Sequence, residues 1–226
     1  CDEFKLPRAV VINKMDRDNA NLKKVMDSLE EFSEPRLIRL QLPWGERGDF
    51  KGVIDLLSNK AYEGDGKTAV EIPAEYADAV EEARMELIEA AAEGDDALLE
   101  KYFEGEELSN AEIIQGLKSV FLAGDYVPVF VSATANKLGV GPLLDTLVSL
   151  MPSPAERTTV IAQGAGGDEK LEAVNTAPLT AYVWKTTADP FVGKQTFFRI
   201  YSGSIAGDSR VWNQNKEIEE RFGSVN

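Results

Sequence analysis

Residues 10–16 read VVINKMD, an apolar run that begins at Ala9 and breaks after Ile12 into a polar tip. Consecutive apolar residues without alternation predict a strand buried on both faces, with residues 13–16 at its carboxyl end. In open α/β sheets that end is where ligands bind. The tip is also an N-K-x-D sequence, and its chemistry suits guanine. An ionised aspartate only accepts hydrogen bonds, and guanine offers two adjacent donors, its ring N–H and its exocyclic amine. Asp16 can form a bidentate, charge-assisted pair with them, each bond worth about 1.5–3 kcal/mol net. Adenine lacks that donor pair. Asn13 can donate to the base edge and brace neighbouring loops, and the methylenes of Lys14 can cover the ring face. The competing reading is a plain strand-to-helix turn in which Asp16 or Asp18 caps the helix.

A second stretch tips the balance. VPVFV at 127–131 is another buried-strand candidate, and it ends in SAT at 132–134, the same place relative to its strand. A backbone amide at Ala133 can donate to the guanine oxygen, and Ser132 can orient Asp16. Each tip alone is a weak signal. Together, on two like strand–helix units, they form a guanine-reading constellation. The first unit continues with Leu22, Val25, Met26, Leu29 and Phe32 at helical spacing, ended by Pro35. The second continues with a helix over 142–150, stopped by Pro152 and Pro154.

Between the two units lies an insertion of roughly 85 residues, the size of a small subdomain. LIRLQLPW (37–44), KGVIDLL (51–57) and KTAVEI (67–72) predict strands separated by glycine-rich turns. Pro73 opens a helix with Tyr76, Val80, Ala83, Leu87, Ile88 and Ala91 on one face, and Gly94 closes it. A short helix is expected over 97–103. Another starts at Ser109, where Ser109 and Glu112 have capping-box spacing ahead of Ile113, Ile114, Leu117 and Phe121. Within this insertion AYEGDGKT (61–68) nearly spells the phosphate loop G-x-x-x-x-G-K-[ST], with Ala61 in place of the first glycine. A phosphate loop leads from a buried strand into a helix, whose amino terminus supplies the anion-binding amides. Here β-branched AVEIP follows instead, so Gly64-Asp65-Gly66 reads as a hairpin turn and Lys67 as a solvated turn lysine.

Residues 153–176, including GAGGDEK, read as a linker. From Pro178 onward LTAYVWKTT, KQTFFRIYSGSI and SRVWN predict an all-β domain with one buried face. Phe197, Phe198 and Tyr201 are then barrel core. Only about 49 residues of it are present, too few for an ordinary closed barrel.

Composition narrows the function further. The chain has 226 residues, 43% hydrophobic and 28% charged, the profile of a globular protein. Its formal charge of −15 opposes independent binding of nucleic acid. Histidine is absent, which excludes histidine metal sites, triads and imidazole bases from these residues. The lone cysteine, Cys1, makes no internal disulfide, consistent with a cytoplasmic setting. No apolar run is long enough to span a membrane.

INKMDR (12–17), QLPWGERGDFKGVIDLL (41–57), VPVFVSATANKLGVGPLLD (127–145), MPSP (151–154) and FFRIYSGSIAGD (197–208) together resemble the bacterial-type elongation factor G family of translational GTPases. GDFKGVIDL is the most characteristic run, because it belongs to the insertion that this family carries between its two guanine-reading motifs. The resemblance implies an α/β fold. Residues 1–152 would be the second half of a P-loop GTPase domain, with an α+β subdomain inserted at about 37–125. Residues 153–177 would be a linker, and 178–226 the start of a translation-factor β-barrel. It implies GTP or GDP on Asn13, Lys14, Asp16, Ser132 and Ala133, and a ribosome-dependent GTPase that moves tRNA and mRNA in elongation. Magnesium is implied for the parent protein. Its ligands, the phosphate loop and the switch histidine are expected before Cys1, so this chain alone is expected to be inactive. The ribosome is the implied partner. Its acidic stalk protein would meet the insertion, with arginines such as Arg84 at the contact to offset the acidic 75–107 block. A ribosome-protection or recycling sibling, or a paralogue, would share the base motifs. A non-enzymatic acidic interaction module is the alternative from another class.

Overall fold

The computed structural model describes residues 1, 3, 6–153, 160–164 and 166–225, which fall into two compact units, Cys1–Met151 and Pro152–Asn226. Pro154, expected to stop a helix, and part of the expected linker lie outside the described residues.

The first unit opens with β1 (Val10–Ile12), α1 (Leu22–Glu30) and β2 (Arg36–Arg39). An antiparallel sheet follows, β3 (Gln41–Trp44), β4 (Gly52–Asp55), β5 (Lys60–Glu63) and β6 (Ala69–Val70), paired in that order. Three helices come next, α2 (Ala77–Ala92), α3 (Asp96–Phe103) and α4 (Asn110–Ala123). The unit closes with β7 (Tyr126–Val131) and α5 (Val140–Leu150). β7 is buried along its whole length because it is the middle strand of a parallel sheet ordered β1-β7-β2.

Local chemistry accounts for four of the helix ends. Asn21 caps α1 and Asp95 caps α3 through their side chains. The reciprocal Ser109–Glu112 capping box opens α4, and left-handed Gly124 closes it. Two details depart from the sequence reading. α1 ends at Glu30, which leaves Phe32 85% exposed rather than on the buried face. The apolar run 37–44 is not one strand of an insertion. Arg36–Arg39 pairs in parallel with Tyr126–Val129, and the chain crosses at Leu40 into the antiparallel sheet. One apolar cluster, including Ile38, Leu40, Ile54, Leu87, Phe121 and Phe130, spans both sheets and the helices between them. The intervening segment has its own sheet and helices but shares a core with the parallel sheet.

Two polar anchors fasten this segment. Asp55, 3% exposed at the end of β4, accepts from the Ser58 amide and hydroxyl at 2.8 Å each and from Thr146 Oγ1 on α5 at 3.2 Å. Arg84 on α2 donates to the Leu56 carbonyl. Arg84, expected at the contact should a partner meet the insertion, is half-buried and ties α2 to the sheet. The 61–68 stretch joins β5 to β6, antiparallel strands, with Gly64 and Gly66 at positive φ. Lys67 is exposed and ion-paired to Asp65 at 2.6 Å. The stretch is a turn, and no helix follows it directly.

In the second unit, part of the expected linker is ordered as a hairpin, β8 (Val160–Gly164) with β9 (Gly167–Leu171). β10 (Thr180–Asp189) pairs with β11 (Gly193–Ser202), and β12 (Arg210–Asn213) with β13 (Ile218–Arg221), each as a two-stranded sheet. The expected barrel core is not assembled among the described residues. Phe197 is 40% exposed, and Phe198 and Tyr201 are only half-buried. A two-stranded sheet has no facing layer to cover its apolar side.

Candidate functional site

Parallel pairing sets Val10 opposite Val129 and Ile12 opposite Val131. The two carboxyl-end tips therefore emerge side by side. The backbone stitches them: the Ser132 amide donates to the Ile12 carbonyl at 3.0 Å, and the Met15 amide to the Ser132 carbonyl at 3.1 Å. Lys14 takes a left-handed φ of 65°, and its amide donates to Asn13 Oδ1 at 2.8 Å.

The side chains of Asn13 and Asp16 join the tips. Asn13 Nδ2 donates to Thr134 Oγ1 at 2.9 Å, and its Oδ1 accepts from the Thr134 amide at 3.0 Å and from Ser132 Oγ at 3.4 Å. Half-buried Asp16 is held by Asn136, whose Nδ2 donates to its Oδ2 at 2.7 Å. Among the described residues Asp16 Oδ1 has no partner and remains an open acceptor. The stem of Lys14 is exposed beside it.

Asn13, Lys14, Asp16, Ser132 and Ala133 are thus brought to one sheet end, but two of the expected roles change. Ser132 is fully buried and turns its hydroxyl to Asn13, not to Asp16. The Ala133 amide, expected to face a guanine oxygen, donates to the Leu138 carbonyl at 3.1 Å, and the Leu138 amide returns a bond of 3.2 Å to Ala133. A buried donor needs a partner, and loop closure supplies one. Sequence reasoning missed Asn136 and gave Thr134 no role. Both are short polar side chains in the SATAN stretch, yet their partners lie 120 and 121 positions away, which no local pattern records.

The arrangement presents a carboxylate with one free oxygen, oriented by an amide, at the end of a parallel sheet whose middle strand is buried. β1, expected to be buried on both faces, is an edge strand that leaves Val11 42% exposed. The carboxylate can accept from a planar pair of donors. The site contains no nucleophile–base pair. Among the described residues no group of three or more acidic, cysteine or histidine side chains could hold a metal ion. No described helix is long and apolar enough to cross a membrane. A groove of about 900 Å³ lies elsewhere, between α1, β2 and α2, lined by Met26, Glu30, Arg39 and Glu86 among others.

Comparison with known proteins identifies the family. Residues 1–153 match the family model of the elongation factor Tu GTP binding domain. Elongation factor G of Fervidobacterium nodosum is 38% identical over 227 residues, covering 98% of this chain and 33% of that protein. A crystal structure from Thermus thermophilus superposes with a TM-score of 0.79 at 28% identity, covering 98% of this chain and 31% of that one. The chain thus spans about a third of the length of the curated relative it matches.

Proposed function

The chain belongs to the elongation factor Tu GTP-binding-domain family, and from that premise we propose that its paired tips hold the guanine base of GTP or GDP in a longer translational GTPase. Asp16 Oδ1 accepts from the base, and the Lys14 stem covers one face. Asn13 and buried Ser132 lock the two tips in register. The Ala133 amide meets the guanine oxygen by sharing its hydrogen with, or exchanging it from, the Leu138 carbonyl; such three-centre bonds are common. The observation that carries this reading is the cross-tip latch, Asn13 to Thr134 and Asp16 to Asn136. A plain helix-capping turn would not need bonds across 120 residues.

The activity proposed for the longer protein is ribosome-dependent GTP hydrolysis that promotes translocation of tRNA and mRNA. Magnesium would neutralise phosphate charge in the longer protein, on ligands proposed to lie outside residues 1–226. The segment between β2 and β7 is proposed as the inserted subdomain that meets the ribosomal stalk, and the second unit as part of a translation-factor barrel. Residues 1–226 alone are predicted to bind nucleotide weakly and not to hydrolyse it.

The test is a nucleotide titration on the longest coding chain that contains these residues. Affinity for GDP, none for ADP, and a switch toward xanthosine diphosphate in Asp16→Asn are expected. Xanthine replaces the exocyclic amine by a carbonyl, which an asparagine amide can satisfy. Indifference to every nucleotide would refute the proposal and favour a non-enzymatic interaction module.

A further inference from the structure

The 63–67 turn, which mimics a phosphate loop in sequence and is a hairpin turn in structure, touches the tip that follows Ser132. The Gly139 amide donates to the Gly64 carbonyl at 3.2 Å. Gly66, at φ 79°, lies so close to α5 that a Cβ there would fall 2.2 Å from Pro142 Cδ and 3.0 Å from its Cγ. A Cβ on Gly141 would fall 2.7 Å from the Asp65 carbonyl oxygen. On the other side of the tip, a Cβ on Gly139 would meet Val53 Cγ1 at 2.7 Å. The turn is itself anchored, since the Gly64 amide donates to the Lys51 carbonyl at 2.8 Å and the Gly66 amide to the Glu63 carbonyl at 3.2 Å. Asp65 is held below the usual carboxylate range chiefly by its hydrogen bond to Lys67, with Lys137 of the tip adding attraction.

From this geometry we propose that the 63–67 turn is a rest for the base-facing tip, with Gly64 and Gly66 as positioning residues for purine recognition; this rests on the function proposed above. The contacts form one short path. Gly64 fixes Gly139, its neighbour Leu138 pairs with Ala133 in both directions, and Thr134 is bonded to Asn13. A shift of the turn therefore moves the donor amide relative to Asp16. Recognition sites tolerate displacements of only about 0.5 Å before partners are lost. Only glycine at position 66 lets the turn approach the Pro142 ring this closely.

The experiment exploits a difference between the two glycines. Both have positive φ, but a Cβ at Gly64 meets nothing within 4 Å whereas one at Gly66 strikes Pro142. Gly64→Ala adds backbone strain alone. Gly66→Ala adds the same strain and pushes α5. Gly66→Ala with Pro142→Ala removes the struck ring atoms. In the longest coding chain, Gly66→Ala is expected to weaken GDP about tenfold, equivalent to ~1.4 kcal/mol. Gly64→Ala should weaken it less, and the double variant should recover most of the loss. In residues 1–226 without nucleotide, the amide resonances of Ala133, Leu138 and Gly139 should shift in Gly66→Ala and return in the double variant. If Gly66→Ala does not fold, Pro142→Ala alone must speed hydrogen exchange at Gly139. GDP affinity equal in the parent and Gly66→Ala, or tip resonances that do not move, overturns the proposal by itself. A parent chain that binds no guanine nucleotide overturns the function proposed above, and this inference with it.

Discussion

Truncating Asp55 should release the anchor between β4 and α5 while leaving the apolar core in place. Its carboxylate is almost fully buried and accepts three hydrogen bonds, two from Ser58 and one from Thr146 across to α5. Asp55→Ala removes the desolvation cost of the charge but abandons the Thr146 hydroxyl, itself 5% exposed. An unsatisfied buried hydroxyl costs about 1–3 kcal/mol, and losing the Ser58 bonds adds about 1 kcal/mol, for a net ~2–4 kcal/mol. Thr146→Val deletes only the cross-element bond, which at 3.2 Å belongs at the weak end for a charged acceptor, about 1.5 kcal/mol. A double-mutant cycle in urea should then show a coupling of ~1.5 kcal/mol. Trp44 is the probe, because it is buried in the same unit, whereas Trp184 and Trp212 are exposed. Additivity of the two substitutions within about 0.5 kcal/mol would refute the reasoning, since it would mean that Thr146 does not feel the carboxylate.

Gln41→Met should stabilise the first unit by about 1–2 kcal/mol, because the Gln41 amide is 1% exposed and neither polar atom has a partner; a lower urea midpoint would count against it. The Glu112 carboxyl is drawn from its ordinary 4.5 to about 2, first by Lys101 and then by Ser109. A depressed acid contributes stability above its unfolded pKa and loses it as pH falls through the folded one. The thermal advantage of the parent over Glu112→Gln should be full above pH 4.5 and close as pH approaches 2; a gap independent of pH would contradict the assignment. Burial, and then its hydrogen bond with Glu93, push the Tyr126 hydroxyl up to about 12, so its contribution is complete below pH 10 and lost toward 12. Tyrosinate absorbance should contain a late-titrating phase, and Tyr126→Phe should abolish it.

Much of the architecture was written in local pattern. The unbroken apolar runs before Asn13 and Ser132 announced the β1 and β7 strands, and Ser109 with Glu112 announced the start of α4. The AVEIP sequel to AYEGDGKT was enough to recognise a turn where a motif search sees a phosphate loop. These signals are legible because period, capping and turn chemistry act over a few residues. The break at Leu40 was not legible, since Leu37, Ile38, Leu40, Leu42 and Trp44 recur without a turn signal and either sheet would bury them. Pairing with Tyr126–Val129 decided which part joined which sheet.

The same division runs through the candidate site. Sequence alone placed Asn13, Lys14, Asp16, Ser132 and Ala133 on two strand ends and named the base chemistry an aspartate there could serve. It could not say that Asn13 would commit its amide to Thr134, that Asn136 would orient Asp16, or that Ala133 would close onto Leu138. A residue's type sets which bonds it can make, but the partner is whichever group the packed chain brings within about 3 Å, and that is settled by tertiary structure.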